Sequence, residues 1–190
     1  MSVITAIRTR RSNPFVQERD VSKELIERIL DAAVCTPVHY NTNPWRFLVI
    51  RGEGRARLGS YMAQCFAAEQ DNPDSPEVRQ KMETLAAKPF RAPVIIVVAA
   101  ARSDHPKALM AENVASASVA CQNILLAAEE LGLGCIWRTG SFAYNDRMRH
   151  LLGFEEGTQI VGFMYLGHPV RPLPPAERPP GESFTRWLED

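Results

Sequence analysis

Apolar residues recur at helical spacing between Val21 and Ala33, where Val21, Leu25, Ile26, Ile29, Leu30 and Ala33 share one face. Ser22 is placed to cap this helix, Val21 and Ile26 to staple its start, and Pro37 closes the run. A shorter helix is predicted before it, capped by Ser2 and ending between Arg8 and Arg10. The period then changes: Arg46-Phe-Leu-Val-Ile50 reads as a strand and runs into the turn Gly52-Glu53-Gly54. Leu58, Met62, Cys65 and Phe66 predict a helix over 55–70, which the segment Asp71–Pro76 breaks. Ser75, with Pro76 at the first helical position, restarts a helix that Pro89 stops.

The second half is more apolar. Pro93–Ala99 is a continuous run of mainly β-branched residues, the mark of a strand buried on both faces. Residues 109–131 predict a long helix, apolar nearly all round and rich in small residues such as Ala111, Ala115, Ala117 and Ala120. A helix without a broad polar face is buried, either inside the domain or against a second subunit. Gly132 ends it. A short strand (Cys135–Trp137), a helix (Asp146–Leu152, capped by Asn145 and closed by Gly153) and a last strand over 159–166 follow. Six prolines between Pro169 and Pro180 exclude regular helix from the tail, whose Phe184, Trp187 and Leu188 are apolar enough to dock. Strands and helices mix without a regular βαβ rhythm, so an α+β fold is favoured.

At 190 residues the chain suits one domain over 1–190. Its formal charge of zero offers no global field for nucleic acid or an anionic membrane, so neither is expected as a partner. No stretch approaches the ~20 apolar residues that span a bilayer, and the N-terminal apolar run is too short for a secretory signal. A cytoplasmic protein is expected. Cys35, Cys65, Cys121 and Cys135 lie far apart with no CxxC pair, and three of them sit in apolar patterns. Buried free thiols are expected, and no metal site.

Three segments carry candidate chemistry. The polar loop between Cys35 and Phe47 offers His39, Tyr40, two Asn and two Thr, stiffened by Pro37 and Pro44, and suits a flat polar ligand. By itself, a loop histidine is also an ordinary surface residue. Arg10-Arg11-Ser12 suits a terminal phosphate, with paired guanidinium donors and a hydroxyl, although a solvated basic run reads the same way. Trp137-Arg138-Thr139-Gly140 leaves a strand with an aromatic plane, a fixed cation, a hydroxyl and a glycine that permits close backbone approach. The alternative makes Trp137 core and Arg138 a salt-bridge partner. Gly132-Leu-Gly-Cys135 follows a helix and enters a strand, so it is no dinucleotide fingerprint, and no Walker A, HExxH or GxSxG motif is present.

Together these segments resemble the FMN-dependent nitroreductase family. The matching pieces are Arg10-Arg11-Ser12, Thr36–Trp45, the helix ending Glu130-Leu-Gly-Leu-Gly134 and the strand Ile160–Pro169. Phe90-Arg-Ala-Pro93, Ile136–Gly140 and the proline-containing tail are similar to its small, single-domain YdjA-like branch. The resemblance implies a three-layer sandwich, with a central mostly antiparallel sheet flanked by helices. It also implies an intertwined homodimer with FMN at the interface. Arg10, Arg11 and Ser12 would hold phosphate and ribityl. Pro37 and His39 would cover the partner's flavin, and Trp137, Arg138, Thr139 and Gly140 would follow the isoalloxazine. The helix over 109–131 would form the dimer core.

The implied activity is ping-pong oxidoreduction. NADH or NADPH gives hydride to flavin N5, and a small nitroaromatic, quinone or similar electron-poor acceptor then takes the electrons. The flavin carries the chemistry, so no catalytic side chain is assigned. Arg138 is expected to stabilise negative charge near N1 or O2. The same scaffold also admits reductive dehalogenation, flavin fragmentation or a non-catalytic flavin-binding role. Asn43-Pro44-Trp45 stands where Gln-Pro-Trp is usual in the family. None of the tail arginines (Arg171, Arg178, Arg186) matches the cation that reaches the phosphate in larger members.

Overall fold

The computed structural model describes residues 2–189; Met1 and Asp190, the two ends of the expected 1–190 domain, lie outside the described residues. In chain order the elements are α1 (Val3–Thr9), α2 (Lys23–Ala33), β1 (Trp45–Arg51), α3 (Gly54–Ala67) and α4 (Pro76–Ala86). Then come β2 (Val94–Ala100), α5 (Met110–Glu130), β3 (Gly134–Arg138), α6 (Asp146–Leu151) and β4 (Gln159–Gly167). The strands form one sheet in the order β1-β2-β4-β3, and every pairing is antiparallel.

Strand β2 is central, and all seven of its residues are buried. Its alternate side chains feed two separate cores. Val94, Ile96, Val98 and Ala100 pack with Ile26 and Ile29 of α2 and with Ala117, Cys121 and Ile124 of α5. Ile95, Val97 and Ala99 pack on the other side with Leu58 and Met62 of α3, Leu85 of α4 and Met148 of α6. The result is helix, sheet, helix: the expected three layers.

The predicted caps are in place. The hydroxyls of Ser2, Ser22 and Ser75 accept from Thr5, Leu25 and Val78 N–H, and Asn145 accepts from Met148 N–H. The helix expected over 55–70 stops at Ala67, where Ala68 caps it. Helix α4 ends at Ala86, before Pro89, which instead sits inside a 3₁₀ turn over Lys88–Arg91. Phe184, Trp187 and Leu188 are 79%, 76% and 86% exposed, so these three side chains are not buried against the described residues. Among the described residues, no helix is long and apolar enough to cross a membrane.

One feature of the fold positions the N-terminal arginines. The segment after α1 runs along the end of the sheet: Asn13 N–H donates to Cys135 C=O at 3.0 Å and Gln17 N–H to His168 C=O at 2.8 Å. Val170 N–H returns a bond to Phe15 C=O at 2.9 Å. This lays residues 10–13 against β3, at the edge of the sheet.

Candidate cofactor site

Arg10 is half-buried between the end of α5 and β3, and its Nε and Nη1 are buried without a hydrogen-bond partner among the described residues. Burial lowers its pKa, the nearby Arg178 charge lowers it further, and Glu129 and Cys135 oppose the shift. Arg178 lies close enough for its Nη2 to donate to Arg10 C=O at 3.4 Å. Arg11 bonds the Pro174 carbonyl of the tail, and Ser12 is exposed beside them. The tail thus returns Arg178 to Arg10, Arg11 and Ser12, a neighbour that the sequence reading left unassigned. A buried guanidinium without partners costs more than it gives unless an anion completes it.

Strand β3 is an edge strand. Cys135 C=O points outward to Asn13, so by strand alternation the peptide groups of Trp137 face the same open edge. Alternation also sends neighbouring side chains to opposite faces of the sheet. Trp137 packs against the α2–α5 core, with Nε1–H donating to Val161 C=O at 3.2 Å. Arg138 turns the other way, its guanidinium 5.8 Å from the ring centre of Tyr165. The two side chains flank the edge and do not share one face.

On the Arg138 side lies a cavity of about 410 Å³ with Met62, Phe142, Phe163 and Tyr165 as apolar lining and Lys88, Arg91 and Arg138 as its cations. Trp137, Thr139 and Gly140 line it too, so all four residues of the predicted ring segment border it. An adjoining hollow is lined by Arg91 and Arg138 together with Pro14, Phe15 and Arg171. Among the described residues no carboxylate comes within ion-pair distance of Lys88, Arg91 or Arg138. Burial lowers the Lys88 pKa, and the charges of Lys81, Arg91 and Arg138 lower it further. Burial raises the Tyr165 pKa against the pull of Arg138 and Arg91. Three converging cations above an apolar floor suit a planar ligand with an electron-rich edge. Lys88 and Arg91 were missed in the sequence. The signal was there in Lys88-Pro-Phe-Arg91, two cations set just ahead of a buried strand.

Pro37 and His39 lie elsewhere. The loop is tied to α5: Ser116 Oγ donates to Pro37 C=O at 3.0 Å, and Thr42 Oγ1 meets Asn113 Oδ1 at 3.1 Å. His39 Nε2 is 3.9 Å from Glu112 Oε1, while Glu112 Oε2 and Thr36 Oγ1 are buried without a hydrogen-bond partner among the described residues. Glu112 and Glu129 stand 17 residues apart on α5, about 25 Å along its axis at 1.5 Å per residue. One subunit therefore does not bring His39 to Arg10.

A model of the nitroreductase family matches residues 7–168. The chain belongs to the nitroreductase family. It is 35% identical over 170 residues to the "Putative NAD(P)H nitroreductase YdjA" of Escherichia coli (strain K12), covering 89% of each chain. Among solved structures, a nitroreductase-like family protein from Bacillus cereus superposes with a TM-score of 0.85 at 28% identity, over 100% of this chain and 97% of that one. A protein from Desulfovibrio desulfuricans solved in complex with FMN gives a TM-score of 0.71 at 25% identity, over 100% and 99%. The α+β fold of this nitroreductase-family chain is thus shared over its full length.

Proposed function

We propose that the chain is an FMN-dependent NAD(P)H oxidoreductase that passes electrons to nitroaromatic, quinone or similarly electron-poor acceptors. The observation that carries the reading is the Arg10 guanidinium, whose Nε and Nη1 have no partner among the described residues, beside Arg11 and Arg178 and on the same sheet edge as the cavity lined by Lys88, Arg91 and Arg138. These are two cationic centres joined by a strand with an open edge. They fit a ligand with a phosphate at one end and a polar heteroaromatic ring at the other. The family relative solved with FMN and the NAD(P)H in the name of YdjA support the same choice.

In this reading Arg10, Arg11, Ser12 and Arg178 take the phosphate and the first ribityl oxygens. The edge peptide of Trp137, with Thr139 and Gly140, meets the polar edge of the ring. Lys88, Arg91 and Arg138 place positive charge where negative charge gathers on reduction. FMN, when bound, supplies the hydride-accepting and electron-donating chemistry. The protein's own part is to bind, orient and tune.

A homodimer would complete the site. Helix α5 leaves Ala111, Ala115 and Val119 exposed along one stripe, continued by half-buried Gln122 and Leu126. Val3, Ile4 and Ile7 of α1 are also exposed. Two copies of α5 paired antiparallel about a two-fold axis at Val119 would set residue 112 of one opposite residue 126 of the other. That pairing would carry Pro37 and His39 of each subunit toward the Arg10 cluster of its partner.

The test is a titration of flavin-free protein with FMN, followed by quenching of flavin fluorescence. Saturable binding of one FMN per chain is expected, and a protein that leaves FMN fluorescence unchanged would refute the reading.

A further inference from the structure

The loop over Tyr40–Asn43 carries an unusual burden. Tyr40 (φ 52°), Asn41 (φ 51°) and Asn43 (φ 43°) are all left-handed, and among the described residues no other non-glycine has positive φ. Asparagine tolerates that region, whereas a bulky aromatic residue seldom adopts it. The conformation is imposed from outside. Pro44 C=O accepts from Ala101 N–H at 2.7 Å, and Asn113 clamps both Thr42 Oγ1 and Ala101 C=O, at 3.1 and 3.0 Å. Strain of this kind, held by surrounding structure, marks segments whose side chains must point in a set direction.

What the strain achieves is visible in Tyr40. Its ring stacks on His105, which comes from the separate loop before α5, with centroids 4.3 Å apart and planes 14° apart. His105 is itself fixed: its N–H donates to Ser103 Oγ at 3.1 Å, and its Nδ1 accepts from Lys107 N–H at 3.3 Å. Yet Tyr40 stays 51% exposed. With one face against the imidazole, that exposure falls on the opposite face and the ring edge. Two loops have been spent on presenting a flat, rigid aromatic surface to the outside.

We infer that the Tyr40–His105 stack is the acceptor-selecting wall of the enzyme, contributed to the partner's site, and that it favours planar aromatic acceptors by stacking. The inference rests on the proposed reading, in which the neighbouring His39 reaches the partner's FMN. A preformed aromatic plane binds flat, electron-poor rings through offset stacking at little entropic cost. Small inorganic oxidants gain nothing from it. The wall thus sets which acceptor is taken, separately from cofactor binding at Arg10 and Arg138.

The experiment uses the FMN-loaded, full-length protein, photoreduced without oxygen and reoxidised in a stopped-flow instrument by menadione (planar) or ferricyanide (non-planar). In Tyr40→Ala the apparent Kd for menadione should rise about tenfold or more, the scale of a lost stacking partner. The preference for menadione over ferricyanide should fall with it. Tyr40→Phe, which keeps the plane, should retain both, and His105→Ala should fall between. An unchanged menadione Kd in Tyr40→Ala, or an equal loss with both acceptors, would overturn the wall. Failure of the wild-type chain to take up FMN would instead overturn the cofactor reading beneath it.

Discussion

Arg10 is held in a setting that works against the chain until something binds. Two of its guanidinium nitrogens are buried without partners among the described residues, and Arg178 adds like charge beside it. Replacing it with an apolar residue should therefore separate stability from binding. In Arg10→Met the urea midpoint of the FMN-free protein should stay level or rise. The Kd for FMN should increase about 10- to 100-fold, the value of a charge-assisted bond of roughly 1.5–3 kcal/mol. A fall in the urea midpoint that accompanies the rise in Kd would mean that Arg10 is structural. The buried thiols make a second prediction at this scale. Burial pushes both Cys121 and Cys135 up to about 12, from an unperturbed 9.0. Because the native pKa is the higher one, their contribution is complete below pH 9 and is lost as pH rises from 9 toward 12. Each thiol should remove about 1.4 kcal/mol per pH unit there. Urea midpoints measured between pH 8 and 10.5 should fall steeply for wild type and less steeply for the Cys121→Ala/Cys135→Ala variant.

Strand β4 and helix α5 show how elements set the site. Gly162 of β4 faces Trp137, and a Cβ at this position would collide with the indole Nε1 and crowd the Arg138 carbonyl. Gly162→Ala should therefore move β3 at the candidate ring site. An overpacking cost of about 1–3 kcal/mol lowers Tm by roughly 2–12 °C in a chain of this size. A thermal melt indistinguishable from wild type would show that Trp137 is free to shift. Helix α5 was legible in the sequence as a buried helix with almost no polar face. Its few polar residues were not legible, because a helical pattern does not tell which loop a side chain will reach. Asn113 and Ser116 turn inward to bind the 36–44 loop, and Asn123 bonds the carbonyls of Ala32 and Cys35. The left-handed turn at Tyr40 was equally hidden, since nothing local favours it for a tyrosine. It exists because distant residues hold it, at a cost on the order of 1–3 kcal/mol.

For the molecule as a whole, local signals were enough for the elements, whereas their three-layer arrangement was expected only from the family resemblance. Capping serines, the all-apolar run of β2 and the helical period of α2 each predict their element from neighbouring residues. The candidate site was legible only where its residues are neighbours in sequence. Arg10, Arg11, Ser12 and Trp137–Gly140 stand together in short segments. Lys88, Arg91 and Arg178 join them only through folding, from a turn before β2 and from the tail. The exposed stripe of α5 points to the next level of assembly. A carboxylate at Val119 would be set twice on the proposed two-fold axis, uncompensated, at a cost of several kcal/mol. Val119→Glu should sediment as a monomer at micromolar concentration and lose FMN with its partner, whereas a dimeric, FMN-loaded Val119→Glu would place the interface elsewhere. In the proposed function this chain takes reducing equivalents from a nicotinamide through bound FMN. The direct measurement is an anaerobic titration of the FMN-loaded protein with NADH and, separately, NADPH, watching flavin absorbance near 450 nm. Bleaching by at least one of them, reversed on adding a quinone, is the predicted result; a flavin that stays oxidised with both would contradict the account.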